Sequence, residues 1–241
     1  MSPLEKKSLF GLAFLYAFRM IGLFMLLPVL SLYAKEYSGS TIILVGVALG
    51  IYGLTQGLFQ IPLGFLSDRF GRKPIIFIGM LIFFLGSIIA ATSETMWGLI
   101  AGRALQGVGA VASTIMALLS DLTTEQSRTK AMAVIGASIG VSFAVSLVVG
   151  PILANLWGLS GLFWLTAVLS ILGSLILFFL VPTSSVLKNN PESQAVPQMF
   201  SRLLKNRELY IGRASSRESV YMALRASKSY YKTCYLNKKP K

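Results

Sequence analysis

Residues 64–74 read Gly-Phe-Leu-Ser-Asp-Arg-Phe-Gly-Arg-Lys-Pro, one acid and three bases between two long apolar runs. The run before it, Thr41–Leu66, and the run after it, Ile75–Ala91, contain no charged residue. At a rise of about 1.5 Å per residue, helices of these lengths match a hydrocarbon core of roughly 30 Å or come close to it. The charged stretch is therefore expected as a tight turn at the surface of a bilayer, with Gly71 supplying a conformation that a Cβ would strain. Gly64 is expected to let its helix approach a neighbour, and Asp68 and Arg72 to reach a partner helix.

Four further apolar runs follow the same pattern: Leu9–Tyr33, Met96–Leu119, Ala131–Leu156 and Leu159–Val181. Within all six runs the only charges are Arg19 and Arg103. Backbone polar groups in lipid must be satisfied internally, so runs this long read as helices rather than barrel strands. The first run follows Lys6 and Lys7, but it is too long for a signal-peptide core and lacks a small-residue cleavage site. The expected fold class is an all-α membrane protein, a bundle of six transmembrane helices.

Composition agrees. The 241 residues are 54% hydrophobic and 13% charged, against about a quarter charged in ordinary soluble domains. The formal net charge is +13, but it is uneven. Residues 1–181 hold ten Lys/Arg and six Asp/Glu, and residues 182–241 hold twelve and three. The basicity belongs to the tail, which argues against a nucleic-acid-binding face. The chain has no histidine and a single cysteine, Cys234. Histidine triads, histidine or cysteine metal sites and an internal disulfide are thereby excluded. No catalytic residue, cofactor or metal is expected, and the chain does not read as an enzyme.

Charge placement sets an expected orientation. Lys6, Lys7, Arg69, Arg72, Lys73, Arg128 and Lys130 precede or separate the runs on one side, and only Lys35 stands on the other. The positive-inside rule puts the N-terminus and the segment from residue 183 onward in the cytoplasm. Small residues at every fourth position predict close helix packing: Gly46/Gly50, Gly53/Gly57, Gly98/Gly102 and Gly136/Gly140/Ala144. Pro28, Pro62 and Pro151 are expected to bend their helices, and the fifth helix to end in a kink near Gly150-Pro151. Tyr52, Gln56 and Gln60 form a polar stripe suited to interhelical hydrogen bonds or a wet interface.

In the fourth run stands Arg103-Ala104-Leu105-Gln106-Gly107-Val108-Gly109-Ala110. Arg103 lies about 10 Å from the start of its helix. A buried guanidinium costs several kcal/mol, so it is expected to face a cavity or partner, with Gln106 and Gly107 on the same face. Backbone carbonyls or snorkelling are the alternatives.

Residues 64–75 resemble the signature loop of the major facilitator superfamily, and Arg103–Ala110 its helix-4 motif. Asp121, in Leu119-Ser120-Asp121-Leu122, resembles the acid at the cytoplasmic end of that helix. Gly136–Pro151 is similar to a worn helix-5 antiporter motif, with Ser146, Ala154 and Asn155 where antiporters place glycine. Arg19-Met20-Ile21-Gly22 and Leu27-Pro28-Val29-Leu30 bring the match close to the YajR type of bacterial inner-membrane transporter. The resemblance spans about residues 8–182.

It implies a fold of two six-helix halves, each made of two inverted three-helix repeats, of which this chain supplies the N-terminal half. It also implies transport of a small solute, coupled to protons and directed toward efflux, by rocking of the halves. The expected partners are the bilayer, the solute, protons and a C-terminal six-helix half. Gly64, Asp68, Arg69, Gly71, Arg72, Lys73 and Asp121 would form a latch that protonation of an acid weakens. Arg103 and Gln106 would serve proton coupling or the cavity. Arg19, about 15 Å into its helix, would face the cavity with Tyr16. Gly136, Gly140, Gly150 and Pro151 would serve the kink and packing of helix 5. No acid lies within a run, so the cavity is expected to be positive, favouring an anionic or neutral solute or acids in the other half.

Three regions follow: a six-helix transporter half at 1–182, a cytoplasmic linker at 183–210 and a basic tail at 211–241. The tail has no run of spanning length, and Ile211–Val220 resembles translated sequencing-adapter read-through. It is read as artefactual and disordered, against a natural truncation or a lipid-binding basic segment. The competing function is a membrane scaffold or inert fragment that acts only by binding a partner half.

Overall fold

The computed structural model describes residues 3–109 and 111–181. The regular elements among them are helices: α1 (Pro3–Tyr33), a 3-10 turn (Ala34–Glu36), α2 (Ile42–Phe70), α3 (Arg72–Thr92), α4 (Met96–Val108), α5 (Ala112–Leu122) and α6 (Glu125–Phe179). With α4 and α5 taken as one stretch, five stretches are long and apolar enough to cross a membrane. The linker 183–210 and the tail 211–241 lie outside the described residues.

Two of the helices begin where a side chain satisfies a first amide. Thr41 caps α2 by accepting from the Leu44 amide at 3.3 Å, and Thr95 caps α4 by accepting from the Gly98 amide at 3.3 Å. Helix also runs past the apolar segments into charged sequence. α2 ends at Phe70 and α3 starts at Arg72, so the expected loop shrinks to Gly71 alone, at φ 98°. A side chain at that φ would be strained.

The fourth run was expected as one helix over Met96–Leu119, and it is interrupted between Val108 and Ala112. Gly107 and Gly109, residues of poor helix propensity, stand at the break and pack closely on other helices. A Cβ at Gly109 would stand 2.8 Å from the Phe83 amide nitrogen, and one at Gly107 would strike Thr55 and the Tyr52 carbonyl.

The fifth run does not end near Gly150-Pro151. Pro151 sits inside α6, and the single non-helical residue of that 55-residue run is Gly158, at φ 68° and ψ −177°. The two sides of Gly158 run in opposite directions along α1. On the first arm, Ser142 and Ser146 donate to the carbonyls of Ala17 and Ile21, and Gly150 lies against Met25. On the second arm, Thr166 lies against Gly22, Gly173 against Leu15, and Leu180, just past its end, against Gly11. The chain therefore folds back at the gap between the two apolar runs 131–156 and 159–181.

Two apolar clusters fill the bundle. One gathers Leu12, Met80, Ile115, Leu119, Ile135 and Leu177, and the other Leu26, Leu30, Ala48, Leu99, Leu162 and Phe163. Along α1, α3 and α4, polar residues fall between them: Arg19, Ser87, Arg103 and Gln106, all buried.

The packing expected of the glycines is met at some positions and not at others. Gly102 touches α3, where its Cβ would stand 2.7 Å from the Ala90 amide nitrogen, and Gly150 touches α1. At Gly46, Gly50, Gly53, Gly57, Gly136 and Gly140 nothing lies within 4 Å of a built Cβ. Those faces of α2 and of the first arm of α6 have no partner among the described residues. Gly102→Leu is accordingly expected to cost at least about 1–3 kcal/mol through overpacking and to lower the thermal midpoint in detergent. Gly50→Leu is expected to leave the midpoint within about 1 °C of the parent. Equal midpoints for the two variants would contradict this packing.

Candidate functional site

Three helix ends meet at Arg72, the first residue of α3. Its Nη1 pairs with the Asp68 carboxylate one turn back, across the Gly71 break. Its Nε donates to Asp121 Oδ2 near the end of α5 at 3.2 Å. Nη1 also donates to Ser67 Oγ at 2.7 Å, and that hydroxyl donates to the Gly64 carbonyl at 2.7 Å. The side chains of Arg72, Asp68 and Asp121 are 15%, 29% and 22% exposed. One guanidinium thus serves two carboxylates in a partly desolvated place, where charge-assisted hydrogen bonds are stronger than on an open surface.

Of the other residues read as part of this cluster, Gly64 and Gly71 shape the backbone. At Gly64 a built Cβ would stand 3.9 Å from Ser113 Oγ of α5, an ordinary contact. Arg69 and Lys73 make no ion pair among the described residues, and Arg69 stacks 5.8 Å over the Phe70 ring. Ser67 carries no charge and gave no signal in the sequence. Nor did a neighbouring contact, in which the Thr124 amide at the start of α6 donates to Glu5 Oε1 at 2.9 Å. An acid at a helix N-terminus opposes the positive end of the helix dipole.

Inside the bundle lies a second group. Arg103 is 1% exposed; its Nη1 donates to Gln106 Oε1 at 3.0 Å and its Nε to the Ala48 carbonyl at 3.4 Å. Gln106 Nε2 donates to Ser87 Oγ at 2.8 Å, which donates to the Phe83 carbonyl at 2.8 Å. The guanidinium of Arg103 lies 4.8 Å over the Tyr52 ring. Arg19 Nη2 donates to the hydroxyl of the same tyrosine at 3.3 Å, and its guanidinium lies 5.6 Å from the Phe83 ring centre.

Arg19 and Tyr16, expected to face the cavity, are 2% and 6% exposed and lie inside the bundle. Tyr52 and Phe83 draw Arg19 inward. Of the polar stripe on α2, Tyr52 reaches across helices by its side chain, and Gln60 by its backbone carbonyl, which accepts from Ser113. Pro151 and Asn155 line an open groove of about 410 Å³ with Val29 and Tyr33, distant in sequence from either polar group.

A family model described as Major Facilitator Superfamily matches residues 12–227. The chain is 52% identical over 204 residues to the inner membrane transport protein YajR of Escherichia coli (strain K12), covering 85% of this chain and 45% of that protein. It is 47% identical over 191 residues to an uncharacterized transporter of Buchnera aphidicola subsp. Schizaphis graminum, covering 78% and 49%. The crystal structure of the human organic anion transporter MFSD10 shares the fold, with TM-score 0.67 at 18% identity, over 84% of this chain and 54% of that one. The chain spans about half the length of the curated relatives it matches.

The geometry predicts that Arg72 and Asp121 are energetically coupled. In a double-mutant cycle of Arg72→Ala and Asp121→Ala, read by denaturant unfolding, the coupling is expected near 1 kcal/mol. Additive effects, agreeing within about 0.3 kcal/mol, would remove the interaction from the account.

Proposed function

Because this chain belongs to the major facilitator superfamily, we propose that it forms the six-span N-terminal half of a secondary transporter for a small solute. In this reading α4 and α5 together make one crossing, and the arms of α6 before and after Gly158 make two. The six crossings divide into two inverted three-helix repeats. The membrane is the bacterial inner membrane. The ends holding Arg72, Glu5 and Thr124 face the cytoplasm, following the excess of Lys and Arg there. A C-terminal half packs over the glycine faces of α2 and the first arm of α6, where nothing lies within 4 Å.

The observation that carries the reading is Arg72 shared between Asp68 and Asp121. A bundle that never moved would gain little from tying three helix ends through one partly exposed cation. In a machine that rocks between two states, the same tie sets which state is favoured. With two acids to one base, a proton taken up by either carboxylate removes a bond from Arg72. That gives a physical route for coupling to a proton gradient, in the direction of efflux. Arg69 and Lys73 flank the tie and add positive charge at the surface. Arg103 and Gln106, with Arg19 and Tyr16 nearby, hold the polar middle of the half on the solute's side of the mechanism. Gly150 and Pro151 hold the first arm of α6 against α1.

Proteoliposomes carrying the full-length transporter, with an imposed pH gradient and an internal pH dye, test this. A panel of small solutes is expected to contain at least one that dissipates the gradient with the parent protein. Asp68→Asn is expected to slow that flux about tenfold or more. A folded parent that leaves the gradient untouched by every solute, or a variant with undiminished flux, would overturn the proposal.

A further inference from the structure

The interior of the bundle holds two cations and no acid. All six Asp and Glu of residues 1–181 are Glu5, Glu36, Asp68, Glu94, Asp121 and Glu125, and each stands at a helix end or in a connection. Arg19 and Arg103 are 2% and 1% exposed. Among the described residues the ion pairs are those of Arg72, so neither buried arginine has a carboxylate within reach.

Their hydrogen bonding is also incomplete. Arg19 Nε and Nη1 and Arg103 Nη2 are buried nitrogens with no hydrogen-bond partner among the described residues. The groups that do meet them are neutral: the Tyr52 hydroxyl, the Gln106 amide oxygen and the Ala48 carbonyl. The Phe83 and Tyr52 rings offer an attractive face to each cation. That attraction is smaller than the cost of burying an ion. Water could complete the hydrogen bonds but would leave two positive charges uncompensated.

Both guanidiniums converge on one side chain. Arg19 holds the Tyr52 hydroxyl and Arg103 lies over the Tyr52 ring. The three orphan nitrogens are donors on two cations that share this tyrosine, and they sit in the polar layer between the two apolar clusters. A planar guanidinium with free N–H groups is matched to an anion with accepting lone pairs.

We propose that the Arg19–Tyr52–Arg103 cluster is a binding site for a small monovalent anion, either a carboxylate group or a halide. The anion accepts from the free N–H groups of Arg19 and Arg103 and cancels charge that the protein's own interior leaves open. Gln106, held by Ser87, fixes the far edge of Arg103 so that Nη2 remains available. The site does not depend on the transport reading: an anion would stabilise the bundle whether or not the protein moves a solute.

The test uses the purified chain in nanodiscs of neutral phosphatidylcholine, with ionic strength held constant by gluconate as the bulky reference anion. Replacing gluconate by chloride or by formate is expected to raise the thermal midpoint with anion concentration. The expected rise is about 5–10 °C at a hundredfold excess over Kd. Chloride-35 NMR linewidth on the parent protein is expected to broaden. Narrowing on addition of formate assigns the site to carboxylates as well as halides, and no narrowing assigns it to halides alone. Arg19→Gln and Arg103→Gln are expected to lose the anion response, while Lys130→Gln keeps it. The linewidth experiment needs no variant, so it decides even if an arginine variant fails to fold. No chloride broadening together with no rise of the midpoint in formate for the parent, or an anion response undiminished in both arginine variants, would overturn the proposal.

Discussion

A guanidinium held between two carboxylates at the point where α2, α3 and α5 meet is the constraint from which the rest of this end of the structure follows. For Arg72 to reach Asp68 and Asp121 together, α3 must begin at once after α2. Gly71 allows that by taking a φ of 98°. Further back, Ser67 relays Arg72 to the Gly64 carbonyl. Each of these residues is unremarkable alone. Their spacing makes sense as the support of one ionic contact where water is partly excluded.

Charge elsewhere obeys the same economy. The bilayer-length runs keep acids out of the interior, and the two bases that remain there are folded inward against aromatic rings and amides. The result is a bundle with two apolar clusters, a polar layer between them and an ionic tie at one end. Close contacts at Gly86, Gly102, Gly107 and Gly109 draw α3 and α4 together and bring α4 onto α2. Gly46, Gly50, Gly53 and Gly57 of α2 and Gly136 and Gly140 of α6 make no such contact among the described residues.

Much of this was legible in the sequence because lipid imposes a simple code. Long apolar runs, the charged stretch at 64–74 and the lone Arg103 could be read from hydropathy and charge. The return of the chain at Gly158 fell in the gap between two runs. Less legible were features set by packing. At the break after Val108, Gly107 and Gly109 pack against residues distant in sequence. The inward placement of Arg19 depends on Tyr52 and Phe83, residues from two other helices. The contrast between packed and open glycines has no mark in their spacing, since Gly102 and Gly140 both stand four residues after another glycine, yet only Gly102 meets a neighbouring helix. The Arg72–Asp121 contact crosses 49 positions, and it became an expectation through family resemblance rather than through periodicity.

The claim that Arg72 ties the helix ends together is tested most directly by a distance. Spin labels at Phe70→Cys and Gln126→Cys, both exposed positions, in a Cys234→Ser background would report the end of α2 against the start of α6 by pulsed electron resonance. The account predicts a narrow distance distribution in the parent that shifts to longer distance and broadens in Arg72→Ala. Indistinguishable distributions with and without the Arg72 side chain would contradict it.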